Sequence, residues 1–300
     1  MALVHPSQLF GVARQRGFAI GFFESWDIAS TQGVIDAAEK ADAPVIIGFN
    51  GEFMSGDNRV AGERIELYGA LGRAAAETAR VPVGFIFNEC PKDDWVRAAV
   101  DSGFNIVMPA DALAEPADYR RRVKRLGEYA HSKMVAIEAG LEELPSGASG
   151  TVEGVSCQTD VQEAVKFVEE TGVDLLGVSV GNVHIQLQGE QSLDLERLGA
   201  LTKAVKAGLV LHGGTGIPSA DIRKAAALGV VKVNYGTYIK QAWLKVMREA
   251  LSQPEQNPHK LLGIGGAEDA LMLGRHAVKE AVLSRLEPLG CVGMAPAYRE

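Results

Sequence analysis

Short apolar runs alternate with longer amphipathic segments along the whole chain. Eight such runs, rich in aliphatic and β-branched residues or flanked by glycine, lie at residues 18–22, 44–48, 82–87, 104–108, 133–138, 173–180, 209–212 and 230–234. Their hydrophobicity is nearly continuous rather than alternating, as is typical of parallel strands that are covered by helices on the outer face of the sheet. The pattern therefore predicts eight buried parallel strands.

Helical periodicity fills the intervals between these runs. The predicted helices lie at 32–41, 62–80, 94–102, 116–132, 160–171, 194–206, 218–228 and 238–251, with a last helix at 268–287. Alternating strands and helices indicate βαβ units. Eight units in 300 residues predict an α/β fold with a single (β/α)8 TIM barrel domain over residues 1–300, in which 252–300 form a C-terminal helical extension. An open, doubly wound sheet is the alternative.

Composition narrows the class of protein. The longest stretch without a charge, residues 175–189, is shorter than the roughly 20 apolar residues that span a bilayer, and the first ten residues lack a secretory signal. The net charge of −8 disfavours non-specific nucleic-acid binding, and the basic cluster at 120–125 is interpreted as a solvated helix face. Three widely spaced cysteines indicate a reducing, cytoplasmic location rather than a disulfide framework.

Polar side chains follow the predicted strands at the end where barrel enzymes carry their active sites. These residues are Glu24, Asn50, Asn88, Glu89, Asp111, Glu138, His184, His212 and Asn234. Two imidazoles on neighbouring strands, with carboxylates nearby, form a common ligand set for a catalytic divalent metal ion. The alternative for a single strand-end histidine is a structural role with satisfied hydrogen bonds.

A glycine-rich turn follows the seventh predicted strand. Gly213, Gly214, Thr215 and Gly216 come directly after His212 and precede a helix. Exposed backbone amides at such a turn favour a phosphate group, and the loops after strands seven and eight of a barrel often bind one. Asn234, Gly236 and Thr237 after the eighth strand offer further donors. The alternatives are a tight turn for the glycines and a helix or turn cap for Asn234.

Three segments resemble the class II, metal-dependent fructose-bisphosphate and tagatose-bisphosphate aldolase family. They are residues 171–185 (TGVDLLGVSVGNVHI), 209–237 (LVLHGGTGIPSADIRKAAALGVVKVNYGT) and 282–295 (VLSRLEPLGCVGMA), and similarity extends over the whole chain. The resemblance implies metal ligation by His184 and His212, and a substrate contact at Asn234. It implies phosphate donors at Gly181, Gly213, Thr215 and Thr237, and a metal-associated carboxylate at Glu138. It also suggests a dimer or tetramer.

The chain departs from the family at the third strand. Glu89 stands where the family motif H-x-D-H-G has its second histidine, and Asn88 stands in place of its acid–base aspartate. A carboxylate ligand suits Mn²⁺ or Mg²⁺ better than an imidazole does, and Zn²⁺ remains compatible. Asn88 can hold a hydrogen bond but cannot carry a proton at neutral pH. The candidates to replace it are Glu138, Asp111 and Glu24, together with Glu89 if that residue is not a ligand.

Three functions fit these residues. The first is a metal-dependent carbon–carbon lyase that acts through an enediolate on a ketose phosphate or related sugar phosphate. The second is an epimerase, isomerase or other enediolate enzyme on the same scaffold, and the third is a non-catalytic barrel that binds a phosphorylated metabolite. The loop at 144–154, with four glycines, is either a surface loop or a lid over the site.

Overall fold

Eight parallel strands close into a barrel in the computed structural model, in which each strand pairs with its sequence neighbours and the first pairs with the last. The structure describes residues 3–111, 114–142, 144–149, 151–152, 158–252 and 257–299. The strands are β1 Ile20–Glu24, β2 Val45–Asn50, β3 Val83–Cys90, β4 Ile106–Pro109, β5 Ala136–Gly140, β6 Leu175–Gly177, β7 Gly208–Leu211 and β8 Val230–Tyr235. The predicted single-domain (β/α)8 barrel is confirmed, and the open-sheet alternative is wrong.

Helices surround the barrel and connect consecutive strands. They are α1 Pro6–Arg16, α2 Ile28–Lys40, α3 Gly51–Ser55, α4 Ile65–Thr78, α5 Asp93–Asp101, α6 Pro116–Ser132, α7 Val161–Thr171, α8 Leu195–Ala204, α9 Ser219–Leu228, α10 Thr237–Leu251, α11 Pro258–Leu261 and α12 Ala270–Leu289. Local capping explains several boundaries: the Asp27 carboxylate accepts from the backbone N–H of Ser30 in a capping box, and Gly172 ends α7 in the left-handed conformation. Helices α1, α3 and α11 were not predicted.

The sixth strand is shorter than its apolar run. Residues 173–180 were predicted as a strand ending near His184, but β6 covers only Leu175–Gly177. The chain leaves the sheet because the Asn182 side chain takes over its backbone groups: it accepts from the Val180 N–H and donates to the Val178 carbonyl. His184 therefore lies in a loop seven residues beyond the strand, where it forms a bridge with Ser146.

The C-terminal segment covers one side of the barrel. Helix α12 packs against α2 and α10, and Arg275 of α12 donates to the Asp36 carboxylate of α2 at 2.6 and 2.8 Å. Two glycines allow the helices to approach closely. A Cβ atom at Gly33 would lie 2.6 Å from the Arg275 carbonyl oxygen, and one at Gly274 would lie 2.4 Å from the Trp243 ring. The division of the chain at residue 252 stays a prediction.

The basic cluster of α6 connects neighbouring helices. Arg120 pairs with Glu163 and Glu170 of α7, and Arg122 pairs with Asp93 at the start of α5. These arginines are therefore engaged within the fold rather than forming a simple solvated face. Among the described residues, no helix combines the length and the apolar character needed to cross a membrane.

The α10–α12 contact can be tested with a matched pair of glycine variants. We expect Gly274→Ala to lower the free energy of unfolding by about 1–3 kcal/mol, because the new methyl group overlaps the Trp243 ring. Gly11→Ala in α1 is the control, since its Cβ would meet no atom within 4 Å, and it should raise stability by about 0.5–1 kcal/mol. Urea unfolding measures both. Equal effects of the two substitutions would contradict the packing described.

Candidate functional site

Three side chains converge at the rim formed by the carboxyl ends of the strands. Glu89 Oε1 lies 2.9 Å from His212 Nδ1 and 3.5 Å from His184 Nε2. One ligand atom from each residue lies within 4.8 Å of the other two. Ligands of one divalent ion at bond lengths of about 2.0–2.2 Å are separated by distances of this order, so the cluster could hold a metal ion.

Glu89 has an unusual backbone conformation, and both oxygens of its carboxylate have hydrogen-bond partners. Its φ of +54° lies in the left-handed region, which non-glycine residues adopt only rarely, and often at functional sites. Asn50 donates from Nδ2 to Glu89 Oε2 at 2.9 Å, and its Oδ1 accepts from the Phe53 N–H to cap α3. Burial would raise the pKa of Glu89, but the hydrogen bond from His212 and the charge of His184 lower it to about 2. The carboxylate is therefore ionised and oriented toward both imidazoles.

His212 lies between two carboxylates. Its Nε2 is 2.9 Å from Glu138 Oε1, on the side of the ring opposite Glu89. Burial would lower the pKa of His212, but Glu138 and Glu89 raise it to about 9, so without a metal the ring is protonated and donates to both. A carboxylate on one ring nitrogen is the usual partner of a metal-binding histidine, because it orients the other nitrogen.

Glu138 is fully buried and its charge is balanced inside the barrel by Lys232. Lys232 Nζ lies 2.8 Å from Glu138 Oε2 and donates to Asn234 Oδ1 at 2.7 Å, and both ionic side chains are inaccessible to solvent. Burial raises the pKa of Glu138, but Lys232 and His212 outweigh this and lower it. The geometry favours a positioning role for Glu138 over the proton transfer expected from the sequence. No strand-end pattern pointed to Lys232.

His184 is fixed by its backbone rather than by a strand. Its N–H donates to the Pro145 carbonyl, and its carbonyl accepts from the Gly147 N–H, each at 2.8 Å. The described part of the 144–154 loop thus lies against the cluster, while residues 150, 153 and 154 fall outside the described residues. Ile185, the residue after His184, adopts a φ of +52°, in the left-handed region.

Asn88 is buried beside the cluster. It is 4% exposed, and its Oδ1 is a buried acceptor without a protein partner among the described residues. A buried acceptor that lacks a partner is costly, by about 1–3 kcal/mol, unless a ligand or solvent satisfies it. Asn88 thus keeps an unused hydrogen-bond acceptor, and its role in the reaction stays a prediction.

The glycine-rich turn is shaped by close backbone contacts. Gly213 has a φ of +70°, and a Cβ atom there would lie 2.0 Å from the Val183 carbonyl oxygen. A Cβ at Gly214 would lie 2.8 Å from the Asn234 carbonyl oxygen, so the turn packs directly on the end of β8. Thr215 Oγ1 accepts from the Tyr238 N–H in the first turn of α10, the helix that begins at Thr237. The turn and this helix start therefore lie together.

Other predicted phosphate donors lie nearby in the fold. Gly181, with a φ of +102°, follows β6 in the loop that leads to His184. Gly236 precedes α10, and a Cβ atom there would lie 2.5 Å from Glu24 Oε2. Glu24 itself ends β1 and pairs with Lys240 of α10. Burial raises the pKa of Glu24, partly offset by Lys240.

A cleft of about 310 Å³ opens from the cluster toward β4, β5 and β6. Glu89, His184 and His212 line it together with Asp111 and Glu142. Apolar side chains form much of its wall, including those of Met108, Tyr119, Leu141 and Phe167. Asp111 was predicted from the sequence, but Glu142 was not. Two residues beyond the end of β5, Glu142 lies in a segment that carries no recognisable motif.

Comparison with known proteins agrees with this geometry. The family model for class II fructose-bisphosphate aldolase matches residues 4–294. A Bacillus subtilis relative named "Probable fructose-bisphosphate aldolase" is 31% identical, over 98% of this chain and 100% of the relative. A Staphylococcus aureus (strain Mu50) relative named fructose-bisphosphate aldolase is 30% identical over 97% of this chain and 98% of its own.

Solved structures agree as well. The YdjI aldolase of Escherichia coli K12 superposes with a TM-score of 0.79 at 29% identity, covering 96% of this chain and 98% of its own. A structure described as a putative fructose-1,6-biphosphate aldolase from Coccidioides immitis gives 0.80 at 25% identity, covering 98% of each chain. The fold and rim define a (β/α)8 barrel enzyme. The chain belongs to the class II fructose-bisphosphate aldolase family, a family of lyases, and is an aldolase-like enzyme.

The buried ion pair gives a direct stability prediction. We expect Lys232→Met to lower the free energy of unfolding by about 3–5 kcal/mol, because the buried Glu138 carboxylate loses the ammonium group and keeps only the His212 ring, which it shares with Glu89. The double variant Lys232→Met/Glu138→Gln removes both charges and should recover much of that loss. Urea unfolding of the metal-free protein measures the difference. A single variant as stable as wild type would show that the pair does not balance charge as described.

Proposed function

We propose that the protein is a metal-dependent carbon–carbon bond lyase that acts through an enediolate on a ketose phosphate or related sugar phosphate. The observation that carries this proposal is the clustering of Glu89, His184 and His212 within 4.8 Å at the rim of an aldolase-family barrel. The names of the relatives support a sugar-phosphate substrate for this chain as well.

The residues fit a divalent cation. The cluster supplies two imidazole nitrogens and one carboxylate oxygen, a set that leaves open coordination positions. The cation would polarise the substrate carbonyl and stabilise the negative charge that develops on it. Zn²⁺, Mn²⁺ and Mg²⁺ are all consistent with a donor set that contains an anionic oxygen.

The rest of the site binds and orients the substrate. Backbone amides of Gly213, Gly214 and Thr215, with the start of α10 at Thr237, offer a pocket for a phosphate group. Asn234 lies beside His212, with its Nδ2 atom 3.1 Å from the ring, where it can contact the carbon chain of a substrate. The buried acceptor of Asn88 can receive a hydrogen bond from a substrate hydroxyl group.

Metal content provides the first test. We expect about one divalent ion per chain in elemental analysis, and less than a tenth of that in His212→Ala, because the variant loses one of three ligands. Gly11→Ala serves as a control far from the rim. A wild-type protein that binds no divalent ion after reconstitution would contradict the proposal.

Enediolate chemistry provides the second test. Metal-loaded enzyme should exchange a carbon-bound proton of dihydroxyacetone phosphate for deuterium in D₂O, as followed by NMR, and metal-free enzyme should not. Condensation of the same compound with a panel of aldehydes then measures bond formation. Absence of exchange with Zn²⁺, Mn²⁺ and Mg²⁺ alike would overturn the enediolate mechanism.

Asn88 gives weight to a second candidate, an epimerase or isomerase that uses the same enediolate. Such a reaction breaks no carbon–carbon bond and does not need an acid–base group at position 88. Exchange without condensation for any aldehyde, together with interconversion of sugar phosphates, would favour this candidate. A cytoplasmic location and a dimer or tetramer remain predictions.

A further inference from the structure

A lyase of the proposed kind needs a side chain that moves a proton, and the residue at position 88 is an amide. General acid–base assistance contributes about 10²–10⁴-fold to rate, so its loss at one position calls for a replacement. Glu138 faces Lys232 and His212 in the barrel interior, inaccessible to solvent. Glu89 belongs to the cluster, and Glu24 pairs with Lys240 away from the cleft lining.

Glu142 differs from the remaining carboxyl groups because a buried residue, Thr159, holds its side chain in place. Thr159 Oγ1 donates to Glu142 Oε2 at 2.6 Å. Thr159 is fully buried and forms two hydrogen bonds to the backbone of Ser179, which lies just after β6. Its Oγ1 accepts from the Ser179 N–H at 2.8 Å, and its N–H donates to the Ser179 carbonyl at 2.9 Å. Thr159, which lies in the same β5–α7 segment as Glu142, therefore connects the Glu142 carboxyl group to the backbone that follows β6.

Glu142 and the Glu89–His184–His212 cluster line the same cleft. Both line one cleft of about 310 Å³, which is small for a ligand site, so a substrate that fills it contacts opposite walls. Leu141 and Phe167 line the same cleft, so part of its wall is apolar. Burial raises the pKa of Glu142, partly offset by the Thr159 hydrogen bond, with a further increase from Asp160. A raised pKa suits a carboxyl group that must both accept and donate a proton near neutral pH.

We propose that Glu142 is the acid–base residue of the reaction, in the role that Asn88 cannot perform; this inference rests on the proposed lyase function. The Glu142 carboxylate removes the proton from the hydroxyl group on the carbon β to the substrate carbonyl. The bond between the α and β carbons breaks, its electron pair passes to the carbonyl oxygen as an enediolate, and the β carbon leaves as an aldehyde. The Glu142 carboxylic acid then returns the proton to the α carbon, which yields the ketone product.

The experiment measures deuterium exchange into dihydroxyacetone phosphate by metal-loaded wild-type and variant enzymes in D₂O. Glu142→Gln keeps the size of the side chain and an acceptor for Thr159, and should exchange at least 100-fold more slowly with unchanged metal content and melting temperature. Glu169→Gln, at an exposed position of α7 outside the cleft lining, is the matched control and should exchange at the wild-type rate. Asp111→Asn tests the other ionisable side chain that was predicted from the sequence.

Thr159 is a positioning residue in this scheme and has its own test. Thr159→Ser retains the hydroxyl group and should retain the exchange rate, whereas Thr159→Val should lower kcat for exchange by about 3- to 10-fold with little change in KM. A purely structural role would lower the melting temperature of both variants without this kcat difference.

The outcomes separate the two proposals. Wild-type enzyme that exchanges, with Glu142→Gln nearly inactive and Asp111→Asn active, supports the assignment. Wild-type enzyme that exchanges, with Glu142→Gln equally active, overturns the role of Glu142 and leaves the proposed function intact. Loss of exchange in Asp111→Asn alone assigns the proton transfer to Asp111 and also overturns it. Wild-type enzyme that never exchanges overturns the proposed function and this inference with it.

Discussion

The buried ammonium group of Lys232 supports the arrangement of the whole rim. An ionised carboxylate inside a barrel is costly unless a cation and hydrogen bonds satisfy it, and Lys232 provides the cation for Glu138 at 2.8 Å. Glu138 in turn holds one nitrogen of His212, which directs the other nitrogen toward Glu89. Lys232 opposes the effect of burial on the pKa of Glu138, and so favours the ionised carboxylate that orients the imidazole.

The two replacements on β3 change different parts of the chemistry. Glu89 keeps a ligand at the cluster but adds a negative charge, which lowers the net charge of any bound cation site and weakens its ability to polarise a carbonyl group. Asn88 keeps a hydrogen-bond acceptor and removes a proton carrier. Only another ionisable group that reaches the substrate can replace this proton carrier. The residues that line the cleft beyond the cluster are therefore the candidates. Glu142 meets that requirement: it accepts a hydrogen bond from Thr159, a residue of the same β5–α7 segment, and Thr159 is in turn bonded to Ser179 after β6.

The positions of three site residues show which features of the site could be predicted from the sequence. His212 and Asn234 lie at strand ends as predicted, because apolar runs bounded by polar residues mark where a parallel strand emerges from the core. His184 was expected at a strand end and lies in a loop instead, since the Asn182 side chain ends the β6 ladder early. Its imidazole still reaches the cluster, because the loop folds back onto Pro145 and Gly147. The sequence could not reveal this, as the contact joins segments about 40 residues apart.

The sequence by itself determined the closed barrel, the edge at which the site lies, and the cluster's candidate residues, because strand and helix periodicities are local and parallel strands all end at the same rim. Only the tertiary structure decided the environment of each carboxyl group. Glu138 and Glu142 are four residues apart, yet one is paired with Lys232 in the barrel interior and the other lines an open cleft beside Thr159. Burial and charged neighbours set the pKa of a carboxyl group, and those neighbours come from strands that are distant in sequence and adjacent only after the barrel has closed.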